Sequence, residues 1–178
     1  QQPTASTAPY KSEPALTDEQ YQNILDIMAN MVRVMECSPS AFAHADEESI
    51  RMHFLMQLNG QYQGQATGET FNYEGKTDIL IKDNGRNIFI AECKFWRGEK
   101  VYGETIDQLL GYLSWRDTKA AVIVFNRNKD FSGVLAKIKD ATESHPNCKN
   151  LIRQTSETSW QLGWLSDKVL AEIGRAHL

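Results

Sequence analysis

The segment that most constrains the fold is NIFIAECKF, residues 87–95, because its apolar residues occupy both strand faces. Successive side chains of a strand point to opposite faces, so this run predicts a central strand that is covered on both sides. Glu92 and Lys94 interrupt the run near its end and share one face. Charges in a buried strand are costly unless they are paired or coordinated. The segment therefore predicts a central strand whose two charged residues require partners.

The surrounding sequence predicts an α/β fold. We expect a central mixed four-stranded sheet, built from a strand meander, a helix and a further strand, with helices on its flanks. The predicted strands are 63–72, 77–82, 87–95 and 119–126, and the predicted helices are 18–36, 45–59, 105–115 and 131–143. Asp83-Asn84-Gly85 is typical of a tight hairpin turn. Beyond His145 the pattern weakens, and residues 169–178 fit either a short helix or an edge strand.

The length of 178 residues fits one domain. Residues 1–16 are rich in Pro, Ser, Thr and Ala, which predicts a flexible linker before a single domain over 17–178. Because the chain opens with Gln1, we expect a fragment of a longer multidomain protein. No apolar run approaches the ~20 residues that span a bilayer. Three scattered cysteines fit no disulfide framework, so we expect a reduced, cytoplasmic compartment.

Asp78 is the predicted neighbour of Glu92. Antiparallel pairing about Asn84-Gly85 places position 78 opposite positions 91–92, so two carboxylates and Lys94 converge. Two carboxylates and a main-chain carbonyl suit Mg²⁺, and an adjacent lysine suits charge that develops on phosphorus. Phosphodiester hydrolysis needs this set. A structural ion pair between Glu92 and Lys94 is the alternative.

Asp78, followed by Glu92-Cys93-Lys94 at the end of the next strand, resembles the PD-(D/E)xK motif of the restriction-endonuclease-like nucleases. Thr77 stands where the family's name has proline. Two further features agree with the family over roughly residues 45–126. A glutamate, Glu47 or Glu48, lies in the helix before the sheet, although capping of that helix explains either one equally well. A Q-x-x-x-Y element follows the third strand.

The resemblance implies a restriction-endonuclease-like core that binds Mg²⁺, with Mn²⁺ as a substitute. The expected metal ligands are Asp78, Glu92 and the Cys93 carbonyl. The expected catalytic residues are Glu48, Asp78, Glu92, Lys94 and Gln108. We prefer Glu48 to Glu47 because its spacing matches the family better. The last residue of the Q-x-x-x-Y element, Tyr112, is an expected contact to nucleic acid.

Charge is unevenly distributed along the chain, whose net charge is −4. Residues 1–50 hold two basic residues against eight acidic ones, whereas 115–139 hold six basic residues against two acidic ones. Nucleic-acid affinity comes largely from neutralised phosphates. We therefore expect the basic segment, with Arg116, Arg127 and Lys129, to face the substrate. An ordinary solvated surface explains the charge counts about as well.

Together these features predict a Mg²⁺-dependent endonuclease acting on DNA. The resemblance implies an effector in prokaryotic restriction or anti-phage defence. We expect an upstream sensor or regulatory domain and no membrane partner, with a homo-oligomer as a candidate assembly. Two alternatives stay open: an RNase, and a catalytically inert nucleic-acid-binding or interaction module of the same fold. The sequence contains no zinc-hydrolase, serine-hydrolase or phosphate-loop motif.

Overall fold

The computed structural model describes residues 16–61, 66–72, 75–83, 86–113, 119–164 and 170–177. The helices are α1 (Asp18–Cys37), α2 (Pro39–Phe42), α3 (Glu47–Gln61), α4 (Glu99–Tyr112) and α5 (Phe131–Glu143). The strands are β1 (Ala66–Asn72), β2 (Gly75–Asp83), β3 (Arg86–Phe95), β4 (Lys119–Asn126), β5 (Cys148–Ser156), β6 (Ser159–Trp164) and β7 (Leu170–His177). The predicted linker, apart from Leu16, and the turn at Asn84-Gly85 lie outside the described residues. The mixed α/β class is confirmed.

The strands form one seven-stranded sheet in the order β1-β2-β3-β4-β7-β6-β5. β1, β2 and β3 are an antiparallel meander, whereas β4 is parallel to both β3 and β7. The prediction of four strands is therefore wrong in extent, because three more strands follow α5. The described part of the 169–178 segment, β7, is neither a helix nor an edge strand, since it pairs with β4 and with β6. β5 is exposed along nearly its whole length, so it lacks the alternation of buried apolar and exposed polar residues from which a strand is predicted.

Both faces of the central strands β2, β3 and β4 are covered. α1 and α3 pack on one face, where Ala121, Ile123 and Phe125 of β4 lie, and α4 and α5 pack on the other, with Val122 and Val124. β4 is buried from its second residue to its last, which confirms the predicted buried strand over 119–126. The central strands thus have a dry environment on both sides, in which an unpaired charge is costly.

Local signals explain where α1 and α3 begin. The Thr17 side chain accepts the Gln20 N–H, and the Gln20 side chain accepts the Thr17 N–H, which is a capping box at the start of α1. Asp46 accepts the Ser49 N–H at the start of α3. The Tyr21 hydroxyl donates to the Ala120 carbonyl, so α1 is tied to β4. Within the described ranges, no helix has the length and apolar character needed to cross a membrane.

The connection from β3 through α4 to β4 positions the site. Because β3 and β4 are parallel, their carboxyl ends meet at one edge of the sheet, where open α/β sheets place ligands. The Trp96 N–H donates to the Phe125 carbonyl, so the residue after β3 remains hydrogen-bonded to β4. Gly98 then turns the chain into α4 with a φ of 108°, a conformation that favours glycine.

Candidate active site

Five charged side chains meet at the carboxyl end of β3. We call them the charge cluster: Glu47, Arg51, Asp78, Glu92 and Lys94. α3 contributes Glu47 and Arg51, β2 contributes Asp78, and β3 contributes the remaining two. Three acidic and two basic groups thus lie together at the edge where the parallel strands end.

Asp78 is held by two donors. The β2–β3 register pairs Ile79 with Ala91 and so brings position 78 beside position 92, as the hairpin predicted. The Cys93 N–H donates to Asp78 Oδ2 over 2.8 Å, and Arg51 Nη1 donates to Asp78 Oδ1 over 3.1 Å. Both carboxylate oxygens therefore have a protein partner, and their direction is set by the strand and by α3.

Glu92 has the opposite environment. Its residue is 1% exposed, and neither carboxylate oxygen has a hydrogen-bond partner among the described residues. Burial, and next the negative charge of Asp78, raise the pKa of Glu92 to about 8, although Lys94 opposes the shift. A buried carboxylate whose oxygens accept no hydrogen bond costs free energy unless it binds a proton or a cation. Glu92 is therefore the group in the charge cluster that most needs a ligand.

Lys94 faces the same carboxylates from the solvent side. Its Nζ lies 3.7 Å from Asp78 Oδ2 and 3.8 Å from Glu47 Oε2. Burial alone would lower the pKa of Lys94, but the charges of Asp78, Glu92 and Glu47 outweigh burial and raise it. Lys94 is consequently a fixed cation at neutral pH, and its partly exposed side chain lies within reach of a molecule that approaches from solvent.

The helix carboxylate in the charge cluster is Glu47, and the Glu48 side chain is exposed instead. Glu47 Oε1 accepts the Phe95 N–H over 3.1 Å, in addition to the contact with Lys94. The preference for Glu48 is corrected by helix geometry, because Glu47 and Arg51 are four residues apart and share the face of α3 that meets the sheet. Glu48 is one position, about 100°, away from that face.

Arg51 is a member of the charge cluster that the sequence analysis missed. It is 7% exposed and forms its 3.1 Å ion pair with Asp78 from α3. A signal was present in the sequence. Arg51 lies at helical spacing from the buried Phe54, Leu55 and Leu58, and an arginine on an apolar helix face needs an acidic partner.

Gln108 and Tyr112 share a face of α4, as their spacing predicted. Gln108 Nε2 donates to the Tyr112 hydroxyl over 2.7 Å. Tyr112 is buried in the core between the sheet and α4, with 8% of its surface exposed. Its ring is therefore not presented for stacking on a base, and this placement argues against the expected contact to nucleic acid.

The described basic residues of the segment 115–139 include two that lie at opposite ends of β4. Lys119 lies at the start of β4 and pairs with Asp18, whereas Arg127 follows the other end of that strand. The Arg127 guanidinium donates to the carbonyls of Phe42 and Ala45, so it is engaged with main chain. Lys129 is exposed before α5. Arg116 lies outside the described residues.

The oxygen donors of the charge cluster are the groups that could hold a hard divalent cation. Among the described residues there is no group of three or more His, Cys, Asp or Glu side chains arranged to hold a metal. The donors available are Asp78, Glu92 and the adjacent main chain of Cys93, whose thiol is buried on the opposite face. Mg²⁺ is commonly held by one or two carboxylates and keeps several waters. The two orphaned Glu92 oxygens are the observation that favours such an ion.

Comparison of the chain with protein-family models, with curated proteins and with solved structures finds no match. The function must therefore be argued from the chemistry of the charge cluster.

Proposed function

We propose that this chain is a metal-dependent nuclease domain with a restriction-endonuclease-like core, which hydrolyses phosphodiester bonds of DNA. One observation carries the proposal: the buried Glu92 carboxylate has no hydrogen-bond partner among the described residues, and it lies beside Asp78 and Lys94. A divalent cation would offset the negative charge of both carboxylates and would supply the chemistry that phosphodiester hydrolysis needs.

Asp78 and Glu92 would hold the metal, with the Cys93 carbonyl as a further oxygen donor. Mg²⁺, or Mn²⁺ in its place, would supply Lewis-acid activation of a phosphoryl group and of a water nucleophile. The Cys93 N–H and Arg51 keep the Asp78 carboxylate oriented before any ligand arrives. This preorganisation reduces the rearrangement that binding requires.

Lys94 supplies positive charge at the scissile phosphate. Its ammonium group is held by carboxylates of both the strand and the helix, so its position is set before substrate binds. A preorganised cation stabilises the charge that develops in the transition state more than the charge of the substrate, and this difference accelerates the reaction. Glu47 positions Lys94 and ties α3 to the Phe95 N–H.

The substrate approaches from the exposed side of the charge cluster. Arg97 lies three residues after Lys94 with 69% of its side chain exposed, and its guanidinium is 3.8 Å from Glu47. It places a second cation where a polyanionic backbone meets the site, which suits a nucleic acid. We favour DNA, and cleavage of RNA alone would replace it with the RNase alternative.

The inert module of the same fold is the competing candidate. In that case the charge cluster is a structural ion-pair network, and Glu92 is satisfied by a proton instead of a metal. Its raised pKa permits this at neutral pH in the absence of metal. The two candidates therefore differ in metal binding as well as in cleavage.

The deciding experiment measures both properties. The purified chain is incubated with supercoiled plasmid and with structured RNA in Mg²⁺, Mn²⁺ or EDTA, and Mn²⁺ binding is followed by calorimetry. We expect metal-dependent cleavage of DNA that is abolished in Asp78→Asn and Glu92→Gln, with Mn²⁺ affinity lowered in each. Asp140→Asn, an exposed carboxylate of α5, is the matched control. Wild-type protein that folds but neither cleaves nor binds Mn²⁺ would support the inert module.

A further inference from the structure

Arg127 contacts main chain from the end of the neighbouring strand. It follows β4 directly, and its Nη2 donates to the Phe42 carbonyl over 3.1 Å and to the Ala45 carbonyl. Its guanidinium carbon also lies 4.1 Å from the centre of the Phe95 ring. One planar cation thus makes two hydrogen bonds and one stacking contact at the same time.

Two of these contacts are to the turn before Glu47, and the third is to Phe95, whose N–H donates to Glu47. Phe42 ends α2 and Ala45 precedes Asp46, the residue that caps α3, so the two carbonyls belong to the turn from which Glu47 projects. The ring that Arg127 covers belongs to Phe95, whose N–H donates to Glu47. Arg127 therefore contacts both partners' surroundings: the turn that precedes Glu47, and Phe95, whose N–H donates to Glu47.

We propose that Arg127 is a positioning residue for the candidate active site, which fixes the turn before α3 so that Glu47 reaches Phe95 and Lys94. This inference rests on the proposed function. It acts through Glu47, because the contacts of Arg127 are to carbonyls and to a ring, while Glu47 contacts the Lys94 ammonium. Loss of the Arg127 contacts releases the turn and loosens the hydrogen bond between Glu47 and Phe95.

The rival explanation is a direct contact between Arg127 and a phosphate, as its place in the basic segment predicted. The two explanations differ in what a lysine can replace. Lysine keeps the charge. Both carbonyls accept from the same nitrogen, Nη2, so what lysine lacks is the planar guanidinium that stacks on the Phe95 ring while that nitrogen donates. A phosphate contact would largely survive Arg127→Lys, whereas the positioning role would not.

The first measurement is hydrogen exchange of the Phe95 amide, followed by NMR on metal-free protein. We expect exchange about tenfold faster in Arg127→Lys and Arg127→Ala, as in Glu47→Ala, because a hydrogen bond that is open more often protects less. Arg153→Lys is the matched control: this exposed arginine of β5 donates to Gln161 at the far edge of the sheet. Unchanged exchange in both Arg127 variants would overturn the proposal.

The second measurement separates turnover from binding. On a labelled DNA duplex with Mg²⁺, we expect Arg127→Lys to lower the single-turnover rate about tenfold while the Kd for DNA and its salt dependence stay at the wild-type values. A weaker Kd with a shallower salt slope and an unchanged rate would establish the phosphate contact instead. If the wild type itself is inactive, the proposed function fails, and the exchange measurement still decides whether Arg127 positions Glu47.

Discussion

Buried polar groups in two regions of the molecule differ in whether they form hydrogen bonds. One region is the charge cluster, and the other is the hydroxyl pair, Tyr102 of α4 and Thr142 of α5. In the hydroxyl pair, the Tyr102 hydroxyl meets Thr142 Oγ1 at 2.6 Å, and Thr142 donates in turn to the Ile138 carbonyl. Burial raises the pKa of Tyr102, so the pair stays neutral. In the charge cluster, Glu92 is equally buried, but its two oxygens have no hydrogen-bond partner among the described residues.

The difference distinguishes a structural polar group from one that awaits a ligand. A buried pair whose hydrogen bonds are complete adds stability and has no capacity left to bind anything. A buried carboxylate without donors retains its desolvation cost until a proton or a cation offsets it. Substitutions in the charge cluster should therefore alter activity and the pH dependence of stability, whereas a substitution in the hydroxyl pair should alter stability alone.

Replacement of Lys94 by Met should have the largest effect on the proposed reaction. The single-turnover rate should fall by roughly 10²–10³, the effect of one preorganised electrostatic contact. Mn²⁺ affinity should persist, because a lysine cation is not a metal ligand. Calorimetry and single-turnover kinetics measure the two properties separately. Lys100→Met removes an exposed lysine of α4 and should leave both unchanged; an active Lys94→Met protein would make Lys94 purely structural.

The metal-free protein should lose stability as pH rises from about 5 to 8. The pKa of Glu92 is about 8 in the folded chain, against an ordinary value of 4.5. Between these values the folded chain binds more protons than the unfolded chain, so the free energy of unfolding falls with increasing pH, by a few kcal/mol at most. Urea titrations in EDTA across this range measure the slope.

Glu92→Gln is the control for this pH dependence. It removes the titrating group while it keeps the volume of the side chain, so the slope between pH 5 and 8 should become smaller. The variant should also be more stable than wild type at pH 8. Equal slopes in the two proteins would show that ionisation of the Glu92 carboxyl does not lower the free energy of unfolding.

The two adjacent glutamates of α3 should differ in activity. Glu47→Gln weakens the contact that positions Lys94, and we expect a single-turnover rate about tenfold lower, which is about 1.4 kcal/mol in barrier height. Glu48→Gln changes an exposed side chain, so its rate should match wild type. The reverse result would restore the preference for Glu48 that the sequence suggested.

Tyr102→Phe should have the smallest effect. It removes one buried hydrogen bond, while Thr142 keeps its bond to the Ile138 carbonyl, so the free energy of unfolding should drop by about 1 kcal/mol. The loss should be the same at pH 5 and pH 8, and cleavage should be unaffected. A change in the cleavage rate would mean that α4 transmits the substitution to the charge cluster.

Much of this protein is determined by local sequence. The helix over Asp18–Cys37 follows from a polar cap and a 3.6-residue apolar period, and the strand over Lys119–Asn126 follows from a short apolar run. The approach of Asp78 to Glu92 follows from one hairpin, since a tight turn sets which residues lie opposite each other. These features involve residues close in the chain, so few arrangements compete.

The tertiary structure decided the rest, because docking between distant segments selects among side chains that are locally equivalent. Glu47 and Glu48 both fit the first turn of a helix, and only the packing of α3 against β3 brings Glu47 to Phe95, 48 positions along the chain. The Arg127 guanidinium donates to the Phe42 carbonyl, 85 positions earlier in the chain, whereas the sequence predicted that Arg127 would face the substrate. β5, β6 and β7 join the sheet through strand pairing, although their sequences contain only a weak strand pattern. Such contacts depend on the free energy of the whole packed arrangement, which no local period encodes.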